Sequence, residues 1–181
     1  YLCFNSVPTE ETFFKGVKRL EPGHLLTYKD NELKIKRFFK LEFEETNKDY
    51  EEYVKQIDKA MTDSVKRHFE ADVEVGSLLS SGVDSSYIVS IGKPNKTFTV
   101  GFDNKKYNEI TYAEDLANKL GVENISRKIS QEEYIKNFPK LMYHMDEPLA
   151  DPSTIALYSI AELASEHVKV ITSGEGADEL F

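Results

Sequence analysis

Residues 73–86, VEVGSLLSSGVDSS, contain the pattern that predicts the fold of this chain. The first half of the segment is apolar and β-branched, as in a short strand buried in a parallel sheet. The second half places small hydroxyl residues around Gly82, and the apolar residues after it can begin a helix. A strand, a tight loop and a helix start together predict an anion site, because small residues let backbone N–H groups approach a phosphate and a helix N-terminus is positive.

The loop S-x-G-x-D-S-S, residues 80–86, carries hydrogen-bond donors and one acid. Ser85 and Ser86 can present N–H groups and hydroxyls to an anion, whereas Asp84 would repel phosphate unless a cation lies between them. Mg²⁺ shared by Asp84 and a polyphosphate removes this conflict. The loop lacks the G-K-[ST] ending of a Walker loop and resembles the PP-loop of the ATP pyrophosphatases, which cleave ATP between the α and β phosphates. The alternative is an ordinary serine- and glycine-rich turn.

Composition limits the class of protein. The 181 residues, 40% of them hydrophobic, can form one domain with a proper core and an appendage. The net charge of −9 argues against a nucleic-acid partner, since phosphate backbones are bound by an excess of Lys and Arg. Cys3 has no second cysteine to pair with, and no apolar run is long enough to span a bilayer. We therefore expect a cytoplasmic protein with no membrane partner, and the first residue, Tyr1, predicts a piece of a longer chain.

Two regions of different character follow along the chain. Residues 1–43 contain two apolar-polar runs, 24–28 and 33–39, joined by a polar turn, which predicts a β-hairpin appendage. Residues 44–181 begin with a long amphipathic stretch whose apolar side chains recur at spacings of three and four, which predicts a helix with a core-facing stripe. The members of that stripe are Tyr50, Tyr53, Val54, Ile57, Met61, Val65 and Phe69.

The remainder alternates between strands and helices. Strands are predicted at residues 73–79, 96–102, 123–129 and 168–173, with helices between them. Pro139 lies within the helix that follows Ser130, so a kink or break is expected there. This alternation predicts an α/β fold, a parallel twisted sheet with helices on both faces.

A second glycine-spaced loop follows the fourth strand. Residues 173–179, SGEGADE, carry acids where the first loop carries serines. In an open α/β sheet, ligands bind outside the carboxyl ends of the strands, where the strand order reverses. If the first and fourth strands are neighbours across that reversal, Asp84 and Asp178 face one metal ion. Alone, the second loop is more typical of an ordinary acidic turn, and only its pairing with the first loop makes the pattern specific.

The segments LSSGVDSS, TFTVGF and ITSGEGADELF, in this order, closely resemble the synthetase domain of the glutamine-dependent asparagine synthetase family. Residues 1–24 resemble the end of that family's N-terminal glutaminase domain, so the resemblance covers the whole chain. It implies an adenine nucleotide alpha hydrolase-like fold. Ser81 stands where the family usually has glycine, and the loop is expected to survive unless that position needs a positive φ. Cys3 is not the counterpart of the family's nucleophilic cysteine, and the family's catalytic lysine lies beyond Phe181.

The resemblance implies a two-step ligation that uses ATP and Mg²⁺. The side-chain carboxylate of aspartate reacts with ATP to give β-aspartyl-AMP and pyrophosphate, and ammonia derived from glutamine then displaces AMP to give asparagine. The implied partners are these small molecules and the glutaminase domain of the same chain, and a homodimer is allowed. The implied ATP- and pyrophosphate-binding residues are Ser80, Ser81, Gly82, Asp84, Ser85, Ser86 and Ser173, with Leu79, Val100 and Gly174 lining the adenosine pocket, Asp84 and Asp178 holding the metal, and Glu175 acting as general base.

Residues 144–153, HMDEPLADPS, form a further candidate site. The ammonium group of an amino-acid substrate would pair with a carboxylate, and Glu147 is the predicted contact, although a solvated acidic loop fits the pattern equally well. Two other functions remain open: adenylation of a different carboxylate, as in β-lactam synthetase-like or peptide-modifying relatives, and a non-catalytic nucleotide-binding domain. Glu175 favours asparagine synthesis, since the β-lactam-forming relatives have tyrosine at that position. Retention of both Asp84 and Asp178 argues against a non-catalytic domain.

Overall fold

The computed structural model describes residues 1–43, 48–103, 109–147, 151 and 153–179. The chain divides into two compact units, one of Tyr1–Lys48 with Met145–Ala150 and one of Asp49–His144 with Asp151–Phe181. The sequence predicts a boundary after residue 43 and does not predict that Met145–Ala150 belongs to the first unit. The assignment of residues 1–43 to a glutaminase domain and of residues 44–181 to a synthetase domain stays a prediction. None of the helices within the described ranges is long and apolar enough to cross a membrane.

The first unit contains a two-stranded antiparallel sheet, β1 (His24–Lys29) and β2 (Glu32–Arg37). The turn is Asp30-Asn31, and both residues have positive φ angles of 52° and 63°. Two consecutive positive φ angles are the signature of a type I′ turn, whose twist matches that of the paired strands. The predicted hairpin is confirmed.

The second unit is an α/β unit in the order α1 (Tyr50–His68), β3 (Val75–Leu78), α2 (Val83–Gly92), β4 (Lys96–Phe102), α3 (Ile110–Leu120), β5 (Glu123–Ile129), α4 (Gln131–Met145), α5 (Ser153–Ser165) and β6 (Val170–Thr172). Its four strands pair in parallel in the order β5-β4-β3-β6. The chain moves from β3 through β4 to β5 in one direction, and β6 then returns to the other side of β3. The strand order therefore reverses between β3 and β6, so the first and fourth of the predicted strands are neighbours across the reversal.

Apolar side chains cover both faces of this sheet, which confirms the predicted layers. On one face, α5 packs over Phe98, which is fully buried, in a cluster with Ile160, Leu163, Ala164 and Val168. On the other face, α2 and α3 pack in a cluster formed by Leu79, Val89, Ala113 and Ala117. Burial of one large apolar side chain such as Phe98 stabilises a fold by roughly 1.5–3 kcal/mol.

Hydroxyl and amide side chains fix the register of the strands. Thr172 Oγ1 donates to Ser77 Oγ at 2.9 Å and joins β6 to β3. Thr99 Oγ1 donates to the carbonyl of Leu79 at 2.8 Å, and Asn124 Nδ2 donates to Thr99 Oγ1 at 2.9 Å. Because a buried hydrogen bond is costly to leave unmade, these contacts hold the strands in fixed relative positions.

The apolar stripe of α1 is less buried than the sequence predicts. Val65 is buried, whereas Tyr50 is 75% exposed and Val54 and Ile57 are each 42% exposed. The prediction of a core-facing stripe is therefore wrong for the first half of α1. Its 19 residues span about 28 Å and the 10 residues of α2 about 15 Å, so α2 can cover only part of its partner. Pro139 lies inside α4 and does not break the helix, whereas the sequence predicts a kink or a break there.

Candidate nucleotide site

The two glycine-spaced loops meet at the carboxyl ends of β3 and β6. A Cβ added to Gly174 would lie 2.9 Å from the backbone nitrogen of Ser85 and 3.1 Å from Cβ of Asp84. Real Cβ atoms are essentially never found that close to backbone, so only glycine fits at this position. The second loop therefore packs directly against the first turn of α2, which is the arrangement that the sequence predicts for the two loops.

Serine hydroxyls organise the first loop from inside. The N–H of Ser80 donates to Ser85 Oγ at 3.1 Å, and the hydroxyls of the two residues lie 2.9 Å apart. The N–H of Gly82 donates to Ser80 Oγ at 3.0 Å. Ser85 is only 8% exposed. The Ser80 and Ser85 hydroxyls thus stabilise the conformation of the loop. The sequence alone does not distinguish this role from direct contact with a phosphate.

Backbone N–H groups at the start of α2 remain available to a ligand. Gly82 is the N-cap residue, in an extended conformation, and no side chain caps the helix. Ser86 makes the first helical bond, from its N–H to the carbonyl of Gly82, which also accepts from Ser86 Oγ at 2.7 Å. Within the described ranges, the N–H groups of Val83, Asp84 and Ser85 have no acceptor. Unpaired N–H groups at a helix N-terminus are suited to anions.

Ser81, which replaces the usual glycine, does not have a positive φ. The expectation that serine is tolerated in this loop is therefore consistent with the backbone. The N–H of Ser81 donates to Oε2 of Glu109 at 3.2 Å. Glu109 is the residue just before α3. Sequence reasoning missed Glu109, although an acid between a strand and a helix on the same edge of the sheet was a signal that could have identified it.

The predicted acidic residues are exposed. Asp84 lies in the first turn of α2, and Glu175 and Asp178 lie in the second loop, where Gly176 has a φ of +92°. No group of three potential ligands that could hold a metal ion occurs among the described residues. Two carboxylates completed by phosphate oxygens are nevertheless a common way for proteins to bind Mg²⁺. The carboxylates of Asp84 and Asp178 have the donor chemistry for that mode of binding, and their binding of one shared metal ion stays a prediction.

The residues that the family resemblance assigns to the adenosine pocket do not share a face of the sheet. The side chain of Leu79 is buried against α2 and α3, whereas Val100 packs with the cluster under α5. Gly174 lies at the loop contact, and the hydroxyl of neighbouring Ser173 accepts from the N–H of Glu175 at 3.5 Å. A pocket shared by Leu79, Val100 and Gly174 stays a prediction.

Glu147 lies in the first unit, where its carboxylate pairs with Arg19 at 2.5 Å. Its predicted contact with an amino-acid substrate stays a prediction, and substrate would have to compete with this guanidinium. Asp151 has a separate role in the second unit, because its Oδ1 accepts from the N–H of Ser153 at 2.8 Å at the start of α5. Hydrogen bonds from the Ser153 side chain and backbone lower the pKa of the Asp151 carboxyl.

Comparison with known proteins identifies the family of this chain. Residues 56–181 match the family model of asparagine synthase. The chain therefore belongs to the asparagine synthase family.

Three relatives indicate the range of proteins that are similar to it. It is 46% identical over its whole length to asparagine synthetase [glutamine-hydrolyzing] 1 of Bacillus subtilis, and 37% identical over its whole length to a putative asparagine synthetase of Mycobacterium bovis. It is also 32% identical, over 94% of its length, to amidase chyE of Penicillium rubens. The chain spans 29% of the length of each of these relatives.

Proposed function

We propose that this chain supplies the nucleotide-binding part of an enzyme that makes asparagine from aspartate, ATP and ammonia. The contact of Gly174 with Asp84 and Ser85 is the observation that carries the proposal. It brings an acidic loop against a helix start with unpaired N–H groups, so one site offers both donors for phosphate and carboxylates for a cation. Family membership and the synthetase relatives support the same chemistry.

In the first step, an oxygen of the aspartate side-chain carboxylate forms a bond to the α-phosphorus of ATP. The bond between that phosphorus and the oxygen bridging to the β-phosphorus breaks, and pyrophosphate leaves with the electron pair. The N–H groups of Val83, Asp84 and Ser85 stabilise the charge on the departing group. The hydroxyl of Ser86 assists once it turns away from the Gly82 carbonyl, to which it donates at 2.7 Å. Mg²⁺, held by Asp84 and Asp178, would supply the countercharge that these acids require beside a phosphate.

In the second step, ammonia attacks the acyl carbon of β-aspartyl-AMP and AMP leaves. The tetrahedral intermediate carries a proton that must be lost before AMP departs. Glu175 is the proposed base, since it lies in the loop that begins at the contact with α2 and its carboxylate is exposed. The attacking carboxylate of the first step is already ionised, so that step needs no base.

The remaining assignments complete the proposal. Ser80, Ser81 and Gly82 form the phosphate loop with Ser85, and Leu79, Val100, Ser173 and Gly174 contact the nucleotide. Glu147 contacts the amino-acid substrate. Ammonia comes from a glutaminase domain of the same protein, which acts in the cytoplasm as a monomer or a homodimer.

The test is the product profile of the full-length protein. ATP, Mg²⁺ and ammonium are supplied with aspartate, glutamate, a β-amino acid or no acceptor, and AMP, pyrophosphate and amide are measured. We expect AMP, pyrophosphate and asparagine in equal amounts when aspartate is the acceptor, and none of these products with the other acceptors. Turnover with another acid would identify a different acceptor carboxylate. Nucleotide binding without pyrophosphate release under any of these conditions would contradict an adenylating function.

A further inference from the structure

Glu109 makes a contact with the phosphate loop that the proposed function does not use. Its Oε2 accepts from the N–H of Ser81, 28 residues earlier in the chain, at 3.2 Å. Glu109 is also the N-cap residue of α3, yet its side chain makes no capping bond to that helix. The carboxylate therefore bonds to the loop and not to its own helix, where an acid would ordinarily be stabilised.

The backbone donors of the loop fall into two groups as a result. The N–H groups of Val83, Asp84 and Ser85 have no acceptor in the described ranges, whereas the N–H of Ser81 is occupied by an anion that belongs to the protein. A single N–H cannot bond well to a carboxylate and a phosphate oxygen together. A phosphate that reaches the loop must displace Glu109 from Ser81 or bind beside its negative charge, and both are unfavourable for a bare anion.

We propose that Glu109 is an internal competitor of phosphate, a specificity-determining residue that weakens the binding of uncompensated anions to the loop. This inference rests on the proposed nucleotide site. The Glu109 carboxylate takes the place of a ligand oxygen at Ser81. Free phosphate and pyrophosphate without a bound cation are thereby disfavoured relative to a cation-bound nucleotide, whose charge is already reduced. The discrimination comes from charge, so it weakens as salt is raised.

Calorimetric titration of the full-length protein with inorganic pyrophosphate, without divalent cations, tests this inference. We expect E109Q and E109A each to bind pyrophosphate about two- to fivefold more tightly than wild type at low salt, the range for loss of one exposed charged contact. The gain should shrink at high salt. E114Q is the matched control, because Glu114 is an exposed acid of α3 that bonds to Ser126 and not to the loop. It should leave the affinity unchanged, and circular dichroism checks that each variant is folded.

The outcomes separate the inference from the proposed function. If Glu109 only held the loop in place, E109A would bind pyrophosphate more weakly and E109Q, which keeps an acceptor oxygen, would restore binding. That result, or unchanged affinity in both variants, would overturn the competitor role while leaving the nucleotide site intact. Failure of the wild-type protein to bind pyrophosphate or ATP with Mg²⁺ would contradict the nucleotide site, and the competitor role with it.

Discussion

Gly174 lies so close to Ser85 that a Cβ at position 174 would be 2.9 Å from the Ser85 nitrogen. Two loops that are about 90 residues apart in sequence therefore pack against each other at the start of α2. The contact exists because β6 pairs with β3, on the side opposite β4.

Substitution of Gly174 by alanine tests whether this close approach matters for binding. The added methyl must push backbone apart, and overpacking of this kind costs about 1–3 kcal/mol. We expect Gly174→Ala to weaken ATP binding by roughly 5- to 100-fold in calorimetric titration of the full-length protein. Ser165→Ala, at the end of α5, removes only an exposed hydrogen bond to the carbonyl of Glu162 and serves as the control. Equal affinity of the Gly174 variant and wild type would show that the ligand does not depend on this contact.

Asp84→Asn tests the acidic side of the site. Loss of one negative charge leaves the departing pyrophosphate without part of its countercharge, so we expect aspartate-dependent pyrophosphate release to fall by on the order of 10² or more. Asp115→Asn removes the same charge from an exposed position on α3, where the carboxylate pairs with Lys119, and should have no effect. Release at the wild-type rate in the Asp84 variant would remove Asp84 from the proposed metal site.

Glu175→Gln separates the two chemical steps. We expect amide formation to slow by on the order of 10²–10⁴, the range for removal of a general base, while aspartate-dependent pyrophosphate release persists. The two products are measured in the same reaction of the full-length protein. If both fall in equal proportion, Glu175 supports nucleotide or metal binding and is not the base.

Tyr87 and Asp58 link α2 to α1 through a hydrogen bond of 2.7 Å. This bond, together with desolvation, raises the pKa of Tyr87 above its ordinary value of 10.0. The bond therefore stabilises the folded state fully below pH 10 and is lost as the pH rises through the raised pKa. We expect Tyr87→Phe to lower the free energy of unfolding by about 0.5–1.5 kcal/mol at neutral pH, measured by urea unfolding.

The pH dependence provides the check on that assignment. The difference between wild type and Tyr87→Phe should disappear at a pH well above 10, where the tyrosine is ionised in both states. Tyr112→Phe, at an exposed position of α3, is the control and should not change stability at either pH. A difference that persisted at high pH would indicate lost packing and not a lost hydrogen bond.

Much of the fold could be predicted because its signals are local. The strand at 96–102 coincides with β4, since alternating Thr, Phe and Val residues between turn signals are typical of strands. The strand predicted at 168–173 is shorter in the structure, Val170–Thr172, because the N–H of Val168 still bonds to Ala164 at the end of α5. Local pattern identifies an element well but not where its hydrogen bonds end.

Contacts between distant residues could not be predicted in the same way. The bond between Ser81 and Glu109 depends on the distance between two loops after the sheet has formed. The burial of α1 depends on the length of the helix that covers it, which its own periodicity does not specify. The opposite orientations of Leu79 and Val100 follow from the alternation of side chains along each strand, so the faces were predictable only once register was known.

The proposed site activates a carboxylate by transferring AMP to it. The most direct measurement uses aspartate labelled with oxygen-18 in its side-chain carboxylate, together with ATP, Mg²⁺ and ammonium, and the full-length protein. Attack of that carboxylate on the α-phosphorus leaves one labelled oxygen in AMP when ammonia displaces it. We expect AMP carrying one oxygen-18 atom, formed together with pyrophosphate and asparagine. Unlabelled AMP, or ADP and phosphate carrying the label, would contradict it.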